Sequence, residues 1–510
     1  MDKQNQINNK QENLRGIRFL TGTDSYKLSH WAQYPEHTTR VYSNLTPRSS
    51  RIPGVDHAIF FGLQAFLHEW CQDAFNDFLK MPEEEAVKTY ALRVMSIVGP
   101  SNDTFERIRA LHRLGYLPLR FCAVKEGTPV PMRIPMMTVE NTHPDFYWLT
   151  NYIESVLSAY LWHPITSATL AWHLRSMLND WAMKTAGTIE PVAWQGHDFS
   201  LRGLEGLEAA GSSGAGHLLS FTGTDSLPAL DFVDMHYDAA DNGLIGGSVP
   251  ATEHSVMCAG GVYNERDTYE RLLKLYPEGI VSIVSDTWDL WKVCTEILPS
   301  LHQEIMSRNG KLVVRPDSGD PVNIICGDPE APYDSPQYLG LARILAREFG
   351  ATRNTQGYLE LDSHIGMIYG DSITYERAEE MCRRLAENGF ASTNIVLGVG
   401  SYTYQYVTRD TLGIAMKATW AEIDGVGHEL FKDPITDNGI KKSACGRLAV
   451  VRDEEGKITL IEKATAVQES QSLLEPVFEN GNMLRTQSFV EIRSELWKNN
   501  SHRQLSYTGV

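Results

Sequence analysis

The stretch Leu312-Val313-Val314-Arg315-Pro316-Asp317-Ser318-Gly319-Asp320-Pro321 decides how this chain folds. A short apolar run, rich in β-branched residues, breaks into Pro, Asp and Gly, which is how a buried strand reads when it ends in a tight loop. The loop places a fixed cation, Arg315, and two carboxylates, Asp317 and Asp320, within six residues. A guanidinium fork matches phosphate oxygens, and a nearby carboxylate matches sugar hydroxyls or a hydrated metal ion. Alone, the loop reads more simply as a turn whose aspartates cap backbone amides. Neighbouring runs that end in the same way change that reading.

Strand-like runs at 280–284, 365–369 and 395–397 flank this one, separated by helical patterns at 288–306, after Ser335-Pro336, and at 375–387. Ser335 is placed as an N-cap with Pro336 at the first helical position. Leu341, Ile344, Leu345 and Phe349 make that helix's inward stripe, and Gly350 closes it. Repeated strand–helix–strand units imply an α/β fold with a parallel sheet and right-handed crossovers, either a barrel or an open doubly wound sheet. Outside this region the pattern is mixed. A helix is expected over 58–79, a small Pro-punctuated sheet over 118–139, and two helical segments over 146–186 interrupted at His163-Pro164. A hairpin is expected at 448–451 and 458–461 around Glu454-Glu455-Gly456. The resulting division is a disordered tail at 1–16, a mixed α+β segment at 17–190, an α/β barrel at 191–402, and a C-terminal α+β segment at 403–510 that packs with the N-terminal part.

Composition narrows the function. With 46 Lys and Arg against 64 Asp and Glu, the net charge of −18 gives no electrostatic footprint for nucleic acid, and no polybasic run addresses a membrane surface. An anionic substrate must therefore meet a local cluster of Arg and Lys. Met1 to Gly16 is polar and lacks the apolar core of a signal peptide, and no run of roughly 18 apolar residues is present. Cys71, Cys122, Cys258, Cys294, Cys326, Cys382 and Cys445 are scattered and never spaced as CxxC. Reduced thiols in a cytoplasmic protein fit this better than a zinc site or a disulfide framework.

Each strand of the repeating region is followed by polar residues: Ser285-Asp286, Arg315-Pro316-Asp317, Gly370-Asp371-Ser372 and Gly398-Val399-Gly400-Ser401. In parallel α/β folds ligands sit at the carboxyl ends of the strands, so these four loops should converge. Aspartates, an arginine and glycine amides on one rim suit a phosphorylated sugar. Two upstream segments extend the set. His197-Asp198-Phe199-Ser200-Leu201-Arg202 brings an aromatic and an arginine close together, and Ser248-Val249-Pro250-Ala251-Thr252-Glu253-His254-Ser255 sets a histidine beside a carboxylate. Taken singly, His197 and His254 read as satisfied structural histidines and Phe199 as core. No GxxxxGK[ST], HExxH or GxSxG is present, which excludes the P-loop, zincin and nucleophile-elbow classes. A glycosidase could use the aspartates but has no need of Arg202, Arg315 and Arg409.

These segments, in this order, resemble the nicotinamide phosphoribosyltransferase family from about Arg18 to the C-terminal region. The most specific pieces are Thr23-Asp24-Ser25-Tyr26-Lys27, Gly196-His197-Asp198-Phe199, Gly223-Thr224-Asp225, Ser248-Val249-Pro250-Ala251, Glu253-His254-Ser255, Arg315-Pro316-Asp317-Ser318-Gly319, Gly370-Asp371, Thr408-Arg409-Asp410 and Phe431-Lys432-Asp433-Pro434. The resemblance implies an irregular α/β barrel of the type II phosphoribosyltransferase kind with a second mixed α+β domain. It also implies a head-to-tail homodimer with sites shared between subunits. The implied reaction joins nicotinamide to phosphoribosyl pyrophosphate with Mg2+, giving nicotinamide mononucleotide and pyrophosphate for NAD salvage. ATP would drive it through a phosphohistidine.

By the motif matches, Phe199 and, from the other subunit, Tyr26 would stack on the nicotinamide ring, with Asp24 beside Tyr26 and Ser248 lining the same site. Asp225 would accept hydrogen bonds from the carboxamide, which a nicotinate carboxylate could not donate. Arg315 would lie along ring and phosphates, Asp317 and Gly370 would hold ribose hydroxyls with Asp371 adjoining, and Asp286 would join the ribose and Mg2+ network. Arg202, Gly400, Arg409 and Lys417 match phosphate-binding positions. His254 takes the phosphohistidine role with Glu253 beside it, and Arg48, Lys432 and Lys441 match positions that approach ATP phosphates. Mg2+ would be held through substrate phosphates and water. The chain departs from the family's animal members at Gly398-Val399-Gly400-Ser401-Tyr402, at Ala415, and by one residue around Asn438-Gly439-Ile440. The competing readings are a nicotinate phosphoribosyltransferase and a catalytically silent homologue that only binds the nucleotide.

Overall fold

The computed structural model describes residues 3–238, 244–434, 436 and 442–498. They divide into two compact units. One takes the residues up to 166 with 234–238 and 407–496; the other takes 167–233, 244–406 and 497–498.

The second unit is built on six parallel strands, Gly196–Asp198, Gly223–Thr224, Glu278–Val284, Asn309–Arg315, Ile365–Tyr369 and Ile395–Val399. Their spatial order runs from 223–224 through 196–198, 395–399, 365–369 and 309–315 to 278–284. Register is set by pairs such as Val314 with Met367 and Met367 with Ile395. Val281, Ile283, Leu312, Val314, Ile365, Met367, Leu397 and Val399 are all buried, the near-continuous apolar pattern of strands covered on both faces. The sheet curls until its two edges are linked by one segment. Gly247 bridges to Gly223, and Ala251 bridges to Ser282, so residues 247–251 span the gap and complete the irregular barrel.

Helices cover the outside of this sheet. Pro336–Phe349 begins where Ser335 Oγ accepts from the Tyr338 amide at 3.2 Å, and bends at Gly340 (φ +72). Tyr375–Glu387 buries Ala378, Met381, Cys382 and Leu385. The single helix expected over 288–306 is instead a series of short pieces. Leu290–Lys292 passes into a π-helical turn, Val293–Ile297, then Leu298–Ser300, and restarts as His302–Met306. Pro299 lies where the path changes, because its ring clashes with the carbonyl four residues back and removes a donor.

The first unit carries a seven-stranded antiparallel sheet in which C-terminal strands flank N-terminal ones. Its order is Val426–Glu429, Ala415–Ile423, Thr38–Thr46, Met137–Asn141, Leu119–Ala123, Glu475–Glu479 and Asn482–Met483. Tyr42 faces Trp420 and Asn44 faces Lys417 in this register. The expected hairpin forms as Leu448–Arg452 and Ile458–Glu462.

Three local expectations are corrected. Lys3–Gly16, read from its polarity as a disordered tail, is helical. The segment read as a helix over 58–79 opens as strand His57–Ile59, and helix starts only at Leu63. The predicted break at His163-Pro164 is absent, since Glu154–Thr185 continues through Pro164. The proline ring is accommodated against Gly62, where a Cβ would stand 3.0 Å from its Cγ. Among the described residues no helix is long and apolar enough to cross a membrane.

Candidate active site

The carboxyl ends of the barrel strands bring the predicted loops together. Arg315 ends its strand with Nη2 donating to the Thr252 carbonyl, while its Nε is buried without an acceptor. Asp286, at the end of 278–284, is nearly buried. Its Oδ2 accepts from the Asp317 amide at 2.8 Å and from Ser318 Oγ at 2.6 Å, and its Oδ1 is buried without a donor. Burial pushes the Asp317 carboxyl above its ordinary value; Arg315 and His254 oppose this, and Asp286 and Asp371 add to it. Gly370 closes over Asp317, for a Cβ there would lie 2.1 Å from Asp317 Oδ1. Asp320, by contrast, accepts from the Asn323 amide at 2.8 Å and is the plain helix cap that the simple turn reading describes.

His254 stands on the rim at the start of the short helix His254–Gly260. Its Nδ1 is 3.1 Å from Thr287 Oγ1, and its half-exposed Nε2 lies 3.9 Å from both Asp286 Oδ1 and Asp317 Oδ2. Glu253 beside it accepts from Ser255 Oγ. The His254 nitrogen that faces Asp286 and Asp317 is thus reachable from solvent.

Toward the opposite end of the sheet, one strand in from its edge, the strand Gly196–Asp198 sets up an alternation. His197 and Phe199 point one way and Asp198 the other. Asp198 is fully buried and holds the Ser200 amide and hydroxyl (3.0 and 2.6 Å) and Thr224 Oγ1 (3.1 Å). The Phe199 ring lies over Gly398, where a Cβ would come within 2.5 Å of it. His197 Nε2 meets Asp225 Oδ1 at 2.9 Å, and Ser248 Oγ donates to that same oxygen. Burial would raise the Asp225 carboxyl, but the hydrogen bonds from His197 and Ser248, with the charges of His197 and Arg315, hold it below its ordinary value. The result is an ionised carboxylate with one oxygen occupied and the other free among the described residues.

Arg202 is exposed, with no described acceptor. Gly400 opens onto free space, and Asp371 accepts from Ser372 Oγ at 2.6 Å. The role of His197 was not legible from its position alone. The usable signal was its two-residue spacing from Phe199, which puts both on one strand face.

The remaining predicted residues belong to the first unit. Tyr26 is 59% exposed, with its ring edge-on to His30, and Asp24 accepts from Ser155 Oγ. Arg48 donates through Nε to the Gly413 carbonyl at 2.8 Å. Lys417 donates to the Met416 carbonyl at 2.7 Å. Burial lowers the Lys417 ammonium, Glu154 opposes this, and the neighbouring charges of Arg48, Lys432 and Lys27 lower it further. Arg409 lies beside Asp410, and Lys432 is exposed. Lys441 lies outside the described residues. Among those described, no three His, Cys, Asp or Glu side chains converge to hold a metal ion directly.

Residues 194–482 match the model of the nicotinate phosphoribosyltransferase family, and residues 18–91 match the N-terminal domain of nicotinamide phosphoribosyltransferase. A nicotinamide phosphoribosyltransferase of Acinetobacter baylyi is 50% identical over 493 residues, covering 94% of this chain and 97% of that protein. One from Mycoplasma pneumoniae is 35% identical, covering 84% and 95%. The fold is shared with nicotinate-nucleotide pyrophosphorylase from Pyrococcus furiosus at a TM-score of 0.56 and 15% identity, covering 96% of this chain and 97% of that one. Human nicotinic acid phosphoribosyltransferase superposes at 0.52, also at 15% identity, covering 94% and 95%. With a relative identical at half of its positions over nearly the whole length, this chain belongs to the nicotinamide phosphoribosyltransferase family.

Proposed function

We propose that the chain transfers a phosphoribosyl group from phosphoribosyl pyrophosphate to nicotinamide, releasing pyrophosphate and forming nicotinamide mononucleotide for NAD salvage in the cytoplasm. The observation that carries this reading is the Asp225 carboxylate, held ionised with one oxygen free among the described residues and bonded to His197, whose ring lies 4.7 Å from that of Phe199. It can accept from a carboxamide NH2 and would repel the carboxylate of nicotinate. Phe199 supplies one stacking face. Tyr26, exposed in the first unit, would supply the other from a second copy in a homodimer.

Transfer at a ribosyl carbon needs no protein nucleophile. Positive charge develops on the sugar as pyrophosphate leaves, so catalysis is positioning and neutralisation. Asp317 and Gly370 would set the ribose, with Asp371 adjoining, while Arg315, Arg202 and the Gly400 amide would meet phosphate. Asp286, whose buried Oδ1 lacks a donor, fits a hard cation carried on the substrate phosphates through water. When bound, Mg2+ supplies neutralisation of the leaving group. His254, beside Glu253, would take the γ-phosphoryl of ATP, and Arg48, Arg409, Lys417, Lys432 and Lys441 would hold polyphosphate.

The test is product analysis by mass spectrometry with phosphoribosyl pyrophosphate, Mg2+ and either nicotinamide or nicotinate, each with and without ATP. Nicotinamide mononucleotide formed preferentially, and stimulated by ATP in the parent but not in His254→Ala, supports the reading. Preferential nicotinate mononucleotide overturns the role of Asp225. No product from either leaves only a nucleotide-binding homologue.

A further inference from the structure

Arg133 sits where an arginine is out of place. Residues Pro131 to Ile134 form a turn closed by the Ile134 amide donating to the Pro131 carbonyl at 3.2 Å, and Arg133, third in that turn, has φ +72. A positive φ at the third turn position calls for Gly or Asn, because a Cβ there crowds the backbone. A long charged side chain kept in such a conformation points to a function that offsets the strain.

The surroundings indicate which function. The Arg133 amide donates to the Pro47 carbonyl at 2.6 Å, which ties this turn to the residue preceding Arg48. Both arginines line one cavity of about 500 Å³ within the first unit, together with Lys417 and Lys442 and a single carboxylate, Glu462. The Arg133 guanidinium has no acceptor among the described residues, and Arg48 engages its backbone acceptor only through Nε. Lys442 pairs with Asp433 at 3.4 Å and Lys417 lies 3.9 Å from Glu154, so Arg48 and Arg133 are the cations with nitrogens left unengaged among the described residues. In a chain of net charge −18, two such guanidinium forks on one cavity form an anion site working against the global field.

We propose that Arg133 is an additional anchor of this cavity, which takes the pyrophosphate group of a substrate, borne either by ATP or by phosphoribosyl pyrophosphate. The proposal rests on the polyphosphate role given above to Arg48 and Lys417 and adds a residue outside that set. Arg133 supplies a planar fork that a point charge cannot reproduce.

The test is calorimetric titration of the full-length protein with inorganic pyrophosphate, ATP and phosphoribosyl pyrophosphate in turn, alongside thermal unfolding. Arg133→Gly and Arg133→Asn both accept the positive φ and lack the charge, so they should fold with a Tm at or above the parent's. Each should bind pyrophosphate about tenfold more weakly or worse. Arg133→Lys should fall between these variants and the parent. Loss confined to ATP assigns the cavity to the nucleotide, and loss confined to phosphoribosyl pyrophosphate assigns it to the sugar substrate; both support the proposal. Parent-like binding of all three ligands by Arg133→Gly overturns it while leaving the wider reading intact. A parent that binds none of the three overturns both.

Discussion

His197 and Asp225 meet at 2.9 Å, and Ser248 donates to the same carboxylate oxygen. The bond fixes both the charge and the orientation of the carboxylate proposed above to tell an amide from an acid. His197 is itself held closely, because a Cβ on Gly223 would lie 2.6 Å from its Nδ1. Removing the imidazole with His197→Ala should therefore loosen Asp225 without touching the reacting atoms. The expected result is a KM for nicotinamide raised about tenfold with kcat nearly unchanged, which is loss of one charge-assisted hydrogen bond's worth of uniform binding. Asp225→Ser should go further and shift preference toward nicotinate. Steady-state kinetics on both substrates decides this, and an unchanged preference in Asp225→Ser would remove Asp225 from the specificity argument.

The two carboxylates Asp225 and Asp317 are displaced in opposite directions from the same ordinary value of 3.8, so their stability effects have opposite signs. Asp225 titrates below that value in the folded state. Its favourable contribution is complete above the unfolded pKa and is lost as pH falls through the folded one. Asp317 titrates above it, so the folded state is penalised for ionising Asp317 once pH has risen through the raised pKa, and the penalty vanishes in acid. Asp317→Asn should accordingly raise Tm by about 1–3 °C at pH 7 while abolishing turnover. Asp225→Asn should lower it. Both differences should shrink as pH falls through the folded-state carboxyl pKa, Asp317's first and Asp225's last, which calorimetry carried from pH 8 down to the acid limit of the folded state would reveal.

Gly370 and Gly398 are both narrow points under the site, but their neighbours differ. A Cβ on Gly370 would meet the end of the Asp317 side chain, which can swing aside; one on Gly398 would meet the Phe199 ring and the Gly370 backbone at 2.9 Å. Gly370→Ala should fold with a Tm near the parent's and lose about 100-fold in kcat/KM, because the carboxylate proposed to hold the ribose, once displaced by an ångström, is misplaced for reaction. Gly398→Ala should lose both activity and about 1–3 kcal/mol of stability, since backbone cannot yield. Equal Tm values for the two would refute this division.

The barrel was readable because its strands are short apolar runs that each end in Asp, Gly or Arg. That grammar depends on sequence-local burial and turn chemistry. Ile365–Tyr369 and Tyr375–Glu387 were found at their observed limits for this reason. Long-range compensation was not readable. Pro164 continues its helix because Gly62, about a hundred residues earlier, leaves room for its ring, and no local pattern encodes that. His197 looked like a core histidine because its partner, Asp225, is supplied by the neighbouring strand's exit. The individual loops were correctly weak signals, as Asp320 shows; only their convergence on one end of a sheet, which the strand order supplies, makes them a site.

Arg447 is where the sheet of the first unit should prove most fragile. Its guanidinium sits 4.3 Å over the Tyr42 ring and donates to Glu140 at 2.8 Å and to Glu469 at 2.7 Å. Tyr42 faces Trp420 across the strands that also carry Asn44 and Lys417. Replacing this fork by Arg447→Met leaves Glu469 without its guanidinium and Glu140 with only Arg40, 3.9 Å away, a change that costs about 3–5 kcal/mol. The double replacement Arg447→Met with Glu140→Gln should recover part of that loss, because it removes one of the two undercompensated charges. Chemical denaturation of the parent, the single and the double variant measures both values. A double variant less stable than Arg447→Met would show that the ion pairs contribute through packing rather than through charge.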